Sequence, residues 1–245
     1  MATRDGELQR TDDGGRTWRT VSKGRRFVSL SFVSPAAGFA LTAGGDVAST
    51  SDGGRSWRVV HSFGRRAEGG PLRGAIEFVD SNHGWASPTG ESAYGTISGG
   101  TSWTKLVLPC DHTVVATSVV SYAAGFLVCG AQPGAGNQAK DLYATADGGR
   151  TWTHRARLPE GGYVGMLDFL DDRTGLLVTD RGGISRTADG GRSWTQTLLT
   201  DDVYFIASTS WASAQTVYAL TLQTGKLIRS DDAGRHWRRL GRAGE

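Results

Sequence analysis

Thr145-Ala146-Asp147-Gly148-Gly149-Arg150-Thr151-Trp152 is followed 42 residues later by Thr187-Ala188-Asp189-Gly190-Gly191-Arg192-Ser193-Trp194. The same octet stands at 11–18 and 50–57. It recurs at 96–103, where Ser98 replaces the acid, and at 230–237, where Ala233 replaces the first glycine. The closing residues Trp18, Trp57, Trp103, Trp152, Trp194 and Trp237 lie 39 to 49 residues apart and make up six of the eight tryptophans. A period of that length marks an array of supersecondary units. Each residue type suits a tight turn. The Asp carboxylate accepts backbone N–H groups, glycine adopts positive φ, and the Trp offers a large ring for burial. The sixth copy keeps Gly234, so the second glycine is expected to be the stricter one. Ser98 is a weaker acceptor and predicts the softest turn in the third copy.

The intervals between octets read as strands. Four of them align on a glycine, at Gly38, Gly84, Gly125 and Gly175, and 206–216 is a fifth copy without it. Phe32, Phe78, Val119 and Phe169 share one position, and Leu30, Ile76, Thr117 and Leu167 fall two residues earlier, a period of two. A first strand, a second strand after the glycine, a third entering the octet and a fourth leaving it give four short strands per repeat, the blade of a β-propeller. The first octet has only ten residues before it. The expectation is therefore an all-β propeller domain over 1–245 with about six blades, the first holding third and fourth strands only.

The octet resembles the Asp-box, or BNR, repeat of the sialidase-like superfamily, Ser/Thr-x-Asp-x-Gly-x-Ser/Thr-Trp, over nearly the whole chain. That resemblance places each box at the hairpin between the third and fourth strands of a blade. The segment 78–86 also looks like the strand pair of bacterial Asp-box propellers related to photosystem II assembly factors, which implies a protein-binding scaffold. Nothing in the sequence itself indicates a photosynthetic role. Sialidases share the box, but their early Arg-Ile-Pro motif is absent here, and sialidases and paired-propeller glucanases are longer chains.

Lys plus Arg total 27 and Asp plus Glu 24, a net charge of +3, too small an excess to indicate a nucleic-acid partner. The longest apolar runs, such as 174–178, fall far short of the roughly 20 residues of a membrane span. The first residues carry no basic-then-apolar signal peptide, as is also true of a mature exported domain. Cys110 and Cys129 fit no metal spacing. They would lie side by side if their repeat forms a hairpin, and a disulfide is expected between them. Two buried thiols are the alternative.

The box residues Asp13, Asp52, Asp147, Asp189 and Asp232 recur too evenly for catalysis and read as structural, as do the six tryptophans. The box arginines read as turn residues. Seven residues before the aligned glycine stand Ser31, Glu77, Ser118 and Asp168, with Thr209 assigned to the same place in the last repeat. Glu77 and Asp168 are weak candidates for an acid pair of the kind glycosidases use. A second group lies where fourth strands run into first strands: Arg25, Arg26, Arg65, Arg66, Arg73, Asp111, His112, Tyr163 and Tyr204. In a propeller these loops gather at the channel mouth, where arginine suits carboxylates and phosphates. No metal or cofactor is expected. The reading is a non-catalytic, extracytoplasmic scaffold for a protein or glycan, with a glycoside hydrolase as the alternative.

Overall fold

A computed structural model of the protein describes residues 6–64, 74–88, 92–110, 113–132, 134, 137–158, 161–180, 183–199, 206–221 and 226–242. Every regular element in it is a strand. The first sheet holds two strands, β1 (Leu8–Arg10) and β2 (Arg19–Ser22). Five four-stranded antiparallel sheets follow, each in the order 1-2-3-4. Blade 2 is β3 (Phe27–Phe32), β4 (Gly38–Thr42), β5 (Asp46–Thr50) and β6 (Arg58–Ser62). Blade 3 is β7 (Ala75–Phe78), β8 (Gly84–Ser87), β9 (Tyr94–Thr96) and β10 (Thr104–Lys105). Blade 4 is β11 (Thr113–Val119), β12 (Gly125–Gly130), β13 (Lys140–Thr145) and β14 (Thr153–Arg157). Blade 5 is β15 (Val164–Phe169), β16 (Gly175–Thr179), β17 (Gly183–Thr187) and β18 (Thr195–Leu199), and blade 6 is β19 (Ile206–Trp211), β20 (Val217–Thr221), β21 (Lys226–Ser230) and β22 (Arg238–Arg242). The first strands β3, β7, β11, β15 and β19 are neighbours in that order, as expected around a propeller axis. Among the described residues blade 1 contains third and fourth strands alone, as the octet count predicts.

Each octet closes the hairpin from third to fourth strand. In the box of blade 4, Asp147 Oδ1 accepts the N–H groups of Arg150 (3.0 Å) and Thr151 (2.9 Å), and Oδ2 accepts the Thr151 hydroxyl at 2.6 Å. Thr145 donates to the same carboxylate and accepts the Gly149 N–H. Arg55, Arg150, Arg192 and Arg235 fold back to donate to the carbonyl of their own box aspartate. Ser98 Oγ accepts the Ser102 N–H and shares a hydrogen bond with the Ser102 hydroxyl, so the third turn lacks the second acceptor of a carboxylate.

The two box glycines do different work. Both have positive φ, but Ala233 takes the first position at φ 59°. At the second, an added Cβ would strike an apolar side chain of the preceding blade: Leu8 against Gly54, Leu142 against Gly191, Leu176 against Gly234. Gly15 meets Leu227 of blade 6 in the same way, so the two-stranded blade sits between blades 6 and 2 and closes the ring. The aligned strand glycines have another cause. Gly38, Gly84 and Gly175 lie under the rings of Phe32, Phe78 and Phe169, where a Cβ has no room. These rings meet the box Trp of their own blade edge-on, each with centroids 6.0 Å apart. Two of them are also stacked face to face by a second-strand ring of the preceding blade, Phe39 on Phe78 at 3.5 Å and Phe126 on Phe169 at 3.6 Å.

One register differs from the expectation. Val217 opens β20 opposite Trp211, as Gly175 opens β16 opposite Phe169, so Ser210, not Thr209, shares the column of Ser31 and Asp168. No glycine marks the start of the second strand in this repeat, so alignment by sequence places the column one residue too early. Cys110 and Cys129 are joined, with Cα atoms 5.4 Å apart, which fastens the segment before β11 to the end of β12.

Two substitutions separate these roles. Gly191→Ala should lose about 2–4 kcal/mol, from a left-handed non-glycine residue plus overpacking against Leu142, whereas Ala233→Gly should be neutral or better. Ser98→Asp should gain about 1 kcal/mol through charge-assisted hydrogen bonds. Denaturant melts of the three variants check both, and an equal loss for Gly191→Ala and Ala233→Gly would contradict the assignment of the second glycine.

Candidate functional site

The polar column of the first strands ties each blade to the next. Ser31 Oγ accepts the N–H of Phe78 at 2.8 Å, Glu77 Oε2 that of Val119 at 2.7 Å, and Ser118 Oγ that of Phe169 at 2.8 Å. Glu77 takes a second donor from a threonine hydroxyl, and Asp168 takes its donor from one. Thr117 Oγ1 donates to Glu77 Oε1 at 3.2 Å, and Thr209 Oγ1 donates to Asp168 Oδ2 at 2.5 Å. Thr117 and Thr209 occupy the same register position, one residue before the column. Where the preceding blade carries serine, that position is Ile76 or Leu167 instead. Thr117 was visible in the sequence as the single polar member of an apolar column, but its meaning depends on the neighbouring blade.

Both acids are half-buried on first strands. Burial pushes Glu77 up from 4.5 to about 8; the Val119 N–H and Thr117 hydroxyl oppose the shift and the charge of Asp168 adds to it. Burial likewise raises Asp168 from 3.8 to about 6 against the Thr209 hydrogen bond. Glu77 on β7 and Asp168 on β15 stand two blades apart. A protonated acid beside an ionised one has the elements of acid–base chemistry. In this arrangement, though, both carboxylate oxygens of Glu77 and Oδ2 of Asp168 already hold inter-blade bonds.

Of the mouth residues, Arg25, Arg26 and Tyr163 are described. Arg25 and Arg26 are exposed before β3. Tyr163 is half-buried before β15, its backbone clamped by two hydrogen bonds to Asp180, from Tyr163 N to Oδ1 at 2.9 Å and from Asp180 N to the Tyr163 carbonyl at 3.0 Å. Arg65, Arg66, Arg73, Asp111, His112 and Tyr204 lie outside the described residues. Sequence reading missed Lys140, which is fully buried at the start of β13 and donates through Nζ to the Gly162 carbonyl at 2.8 Å. It anchors the loop that presents Tyr163. A lysine inside an alternating strand was the available signal. A separate open groove on the outer side of blades 5 and 6 is lined by Arg186, Gln196, Thr197, Arg235 and His236. Burial and the nearby Arg235 hold the Arg186 guanidinium below its usual range. Among the described residues no group of three or more His, Cys, Asp or Glu side chains forms a metal site.

The titrations set a pH profile. Glu77 and Asp168 bind protons more tightly folded than unfolded, so their contribution is full below about pH 4 and is lost as pH rises to about 8. The box aspartates are held below their ordinary values, by hydrogen bonds from the Thr17 and Thr151 hydroxyls at Asp13 and Asp147 and from the Ser56 hydroxyl at Asp52. Their contribution is present above about pH 4 and is lost in acid. Thermal stability should peak near pH 4–5, with the Tm about 5 °C lower at pH 8.5. Glu77→Gln, which keeps an acceptor for Val119, should flatten that alkaline limb. An unchanged slope in the variant would show that Glu77 does not titrate in this range.

Residues 71–197, just over half of the chain, match the PSII_BNR family, described as photosynthesis system II assembly factor YCF48. No curated protein matches. Among solved structures, YCF48 bound to D1 peptide is similar at a TM-score of 0.60 and 18% identity, over 97% of this chain and 75% of that one. YCF48 from Cyanidioschyzon merolae is similar at 0.57 and 20%, over 97% and 79%. The GH74 enzyme of Niastella koreensis is similar at 0.53 and 21%, over 87% of this chain but 31% of that one. At these identities the structures speak for the fold, while the family match rests on the sequence itself: a two-stranded blade and five complete Asp-box blades, with the matched span centred on blades 3 to 5, belong to the PSII_BNR family of photosynthesis system II assembly factor YCF48.

Proposed function

We propose that this propeller is a non-catalytic scaffold that binds a polypeptide on the face where fourth strands run into first strands. The observation that carries the reading is the commitment of both channel acids. Glu77 is held by Val119 and Thr117, and Asp168 by Thr209, so the two groups best suited to glycoside chemistry serve the joints between blades. On the binding face, Arg25 and Arg26 supply exposed cations, and Tyr163 supplies a ring on a loop fixed by Asp180 and Lys140. The similar YCF48 structure with a D1 peptide supports a peptide ligand on this fold. Arg65, Arg66, Arg73, His112 and Tyr204 belong to the same proposed face by their place in the repeat. A disulfide is at home in an oxidising compartment, so the Cys110–Cys129 bridge supports an extracytoplasmic location. No helix among the described residues is long and apolar enough to cross a membrane.

The second reading, a glycoside hydrolase, draws on the raised pKa values of Glu77 and Asp168. A peptide array, a glycan array and a panel of chromogenic glycosides separate the two. The scaffold reading expects micromolar peptide binding, weakened at least about tenfold by Arg25→Glu with Arg26→Glu or by Tyr163→Ala, and no hydrolysis. Glycoside turnover that disappears in Glu77→Gln would replace it with the enzyme, and binding confined to glycans would move the ligand class.

A further inference from the structure

Where the third strand enters its box, three blades carry an arginine: Arg10, Arg186 and Arg229 each stand one residue before the box Ser or Thr. In blades 1 and 6 an aspartate two residues on, inside the box, neutralises it. Arg10 Nε donates to Asp12 Oδ1 at 2.8 Å, and Arg229 Nε donates to Asp231 Oδ1 at 2.6 Å. The other oxygen of each acid meets the arginine across the hairpin, Arg19 at 3.0 Å and Arg238 at 3.1 Å. Blade 5 keeps the arginine and lacks the acid. Ala188 stands where Asp12 and Asp231 do, and Thr195 pairs with Arg186 in the register where Arg19 and Arg238 pair with Arg10 and Arg229. Blades 2, 3 and 4 have Ser49, Gly95 and Ala144 at the arginine's position, so no cation there goes unmatched.

Arg186 is half-buried, and its Nε is committed to the Ala233 carbonyl of blade 6 at 2.7 Å. Among the described residues its two terminal nitrogens have no acceptor, and no carboxylate forms an ion pair with it. The acids whose charge acts on it, Asp232 and Asp171, serve their own turns. Asp232 accepts the N–H groups of Arg235 and His236, and Asp171 those of Arg173 and Thr174. The exposed Arg235 of blade 6 also acts on Arg186, and the two line one open groove with Ala188, Thr195 and Gln196. We propose that this groove is a binding site for a carboxylate, which takes the place beside Arg186 that Asp12 and Asp231 take in their own blades and bridges to Arg235. A planar guanidinium meets a carboxylate through two N–H donors, and Thr195 and Gln196 add neutral donors at the edge. Asp232 and Asp171 offset part of the positive charge, which favours the single charge of a carboxylate over the double charge of a phosphate. The groove lies at the box end of the strands, away from the mouth, and does not rest on the mouth reading. A free organic acid and an acidic side chain of a polypeptide bring the same group to it.

The test is an NMR titration of the intact protein, read at the arginine Nε–H and backbone amide signals, with acetate, inorganic phosphate and a blocked tetra-aspartate peptide as probes. Acetate should shift the Arg186 Nε–H and the amides of Ala188 and Thr195 saturably, in the millimolar range, and added salt should weaken it. Arg186→Gln should weaken binding by about fivefold or more, since it removes the guanidinium fork. That change also alters the bond to Ala233, so the sharper variant is Ala188→Asp, at an exposed position. It restores the acid of blades 1 and 6, and it should raise the Tm without ligand and abolish the acetate shifts. Tyr163→Ala should change neither. A tetra-aspartate affinity more than about tenfold above that of acetate assigns the carboxylate to a polypeptide, and a smaller ratio assigns it to a free acid. The proposal is overturned if acetate gives no saturable shift at Arg186, if Ala188→Asp binds acetate as the native chain does, or if phosphate binds more tightly than acetate.

Discussion

Each blade meets its neighbour through a glycine that has no side chain to move aside. The second box glycine, at positive φ, receives an apolar side chain of the preceding blade, and it does so at Gly54, Gly191, Gly234 and, across the closing seam, Gly15. The Asp carboxylate and the folded-back arginine exist to hold that turn in place, and the box Trp in turn supports the first-strand ring. Because contacts run only to the next blade, stability accumulates joint by joint, as in other repeat arrays. The outer joints are glycine against leucine, the middle ones ring on ring, and the inner ones a side-chain oxygen against a backbone N–H. Three layers of different chemistry thus fix one blade-to-blade rotation.

The parts that were legible in the sequence are those whose physics is local. An Asp-Gly-Gly turn is decided within eight residues, so the boxes, the strand order and the half-filled first blade could all be read. The stricter second glycine was also legible, because Ala233 showed which position tolerates a Cβ, although the reason, a leucine from another blade, was not. The column of Ser31, Glu77, Ser118 and Asp168 was visible by alignment, but its role was hidden. A carboxylate that accepts an N–H 42 residues away looks, in sequence, like a carboxylate available for catalysis. The slip at Thr209 has the same origin, since the register there was fixed by the pairing of Val217 with Trp211 and no glycine marked it.

The mouth resists reading for another reason. Loops from fourth to first strands vary in length and composition between repeats, so position in the repeat places a residue on a face without placing it beside another. Tyr163 is held by Asp180 from its own blade and by the loop's tether to Lys140 of the blade before, partners that no periodic pattern announces. Buried lysine and channel acids alike are polar groups spent on positioning backbone, where a wrong partner would leave an unsatisfied group in a low-dielectric setting.

The pairing of Glu77 with Thr117 and of Asp168 with Thr209, against Ser31 with Ile76 and Ser118 with Leu167, has a consequence for how such a ring can change. The blades look interchangeable by their boxes, yet they carry two kinds of joint, and the kinds alternate around the axis. Deleting blade 4 would set Glu77 against Leu167, and duplicating blade 3 would set it against Ile76; either change strands a carboxylate without its hydroxyl. Moving blades in pairs would keep every acid with its threonine. The polar column therefore works as a key to blade order: a blade that carries an acid in it must be followed by one that carries a threonine at the facing position.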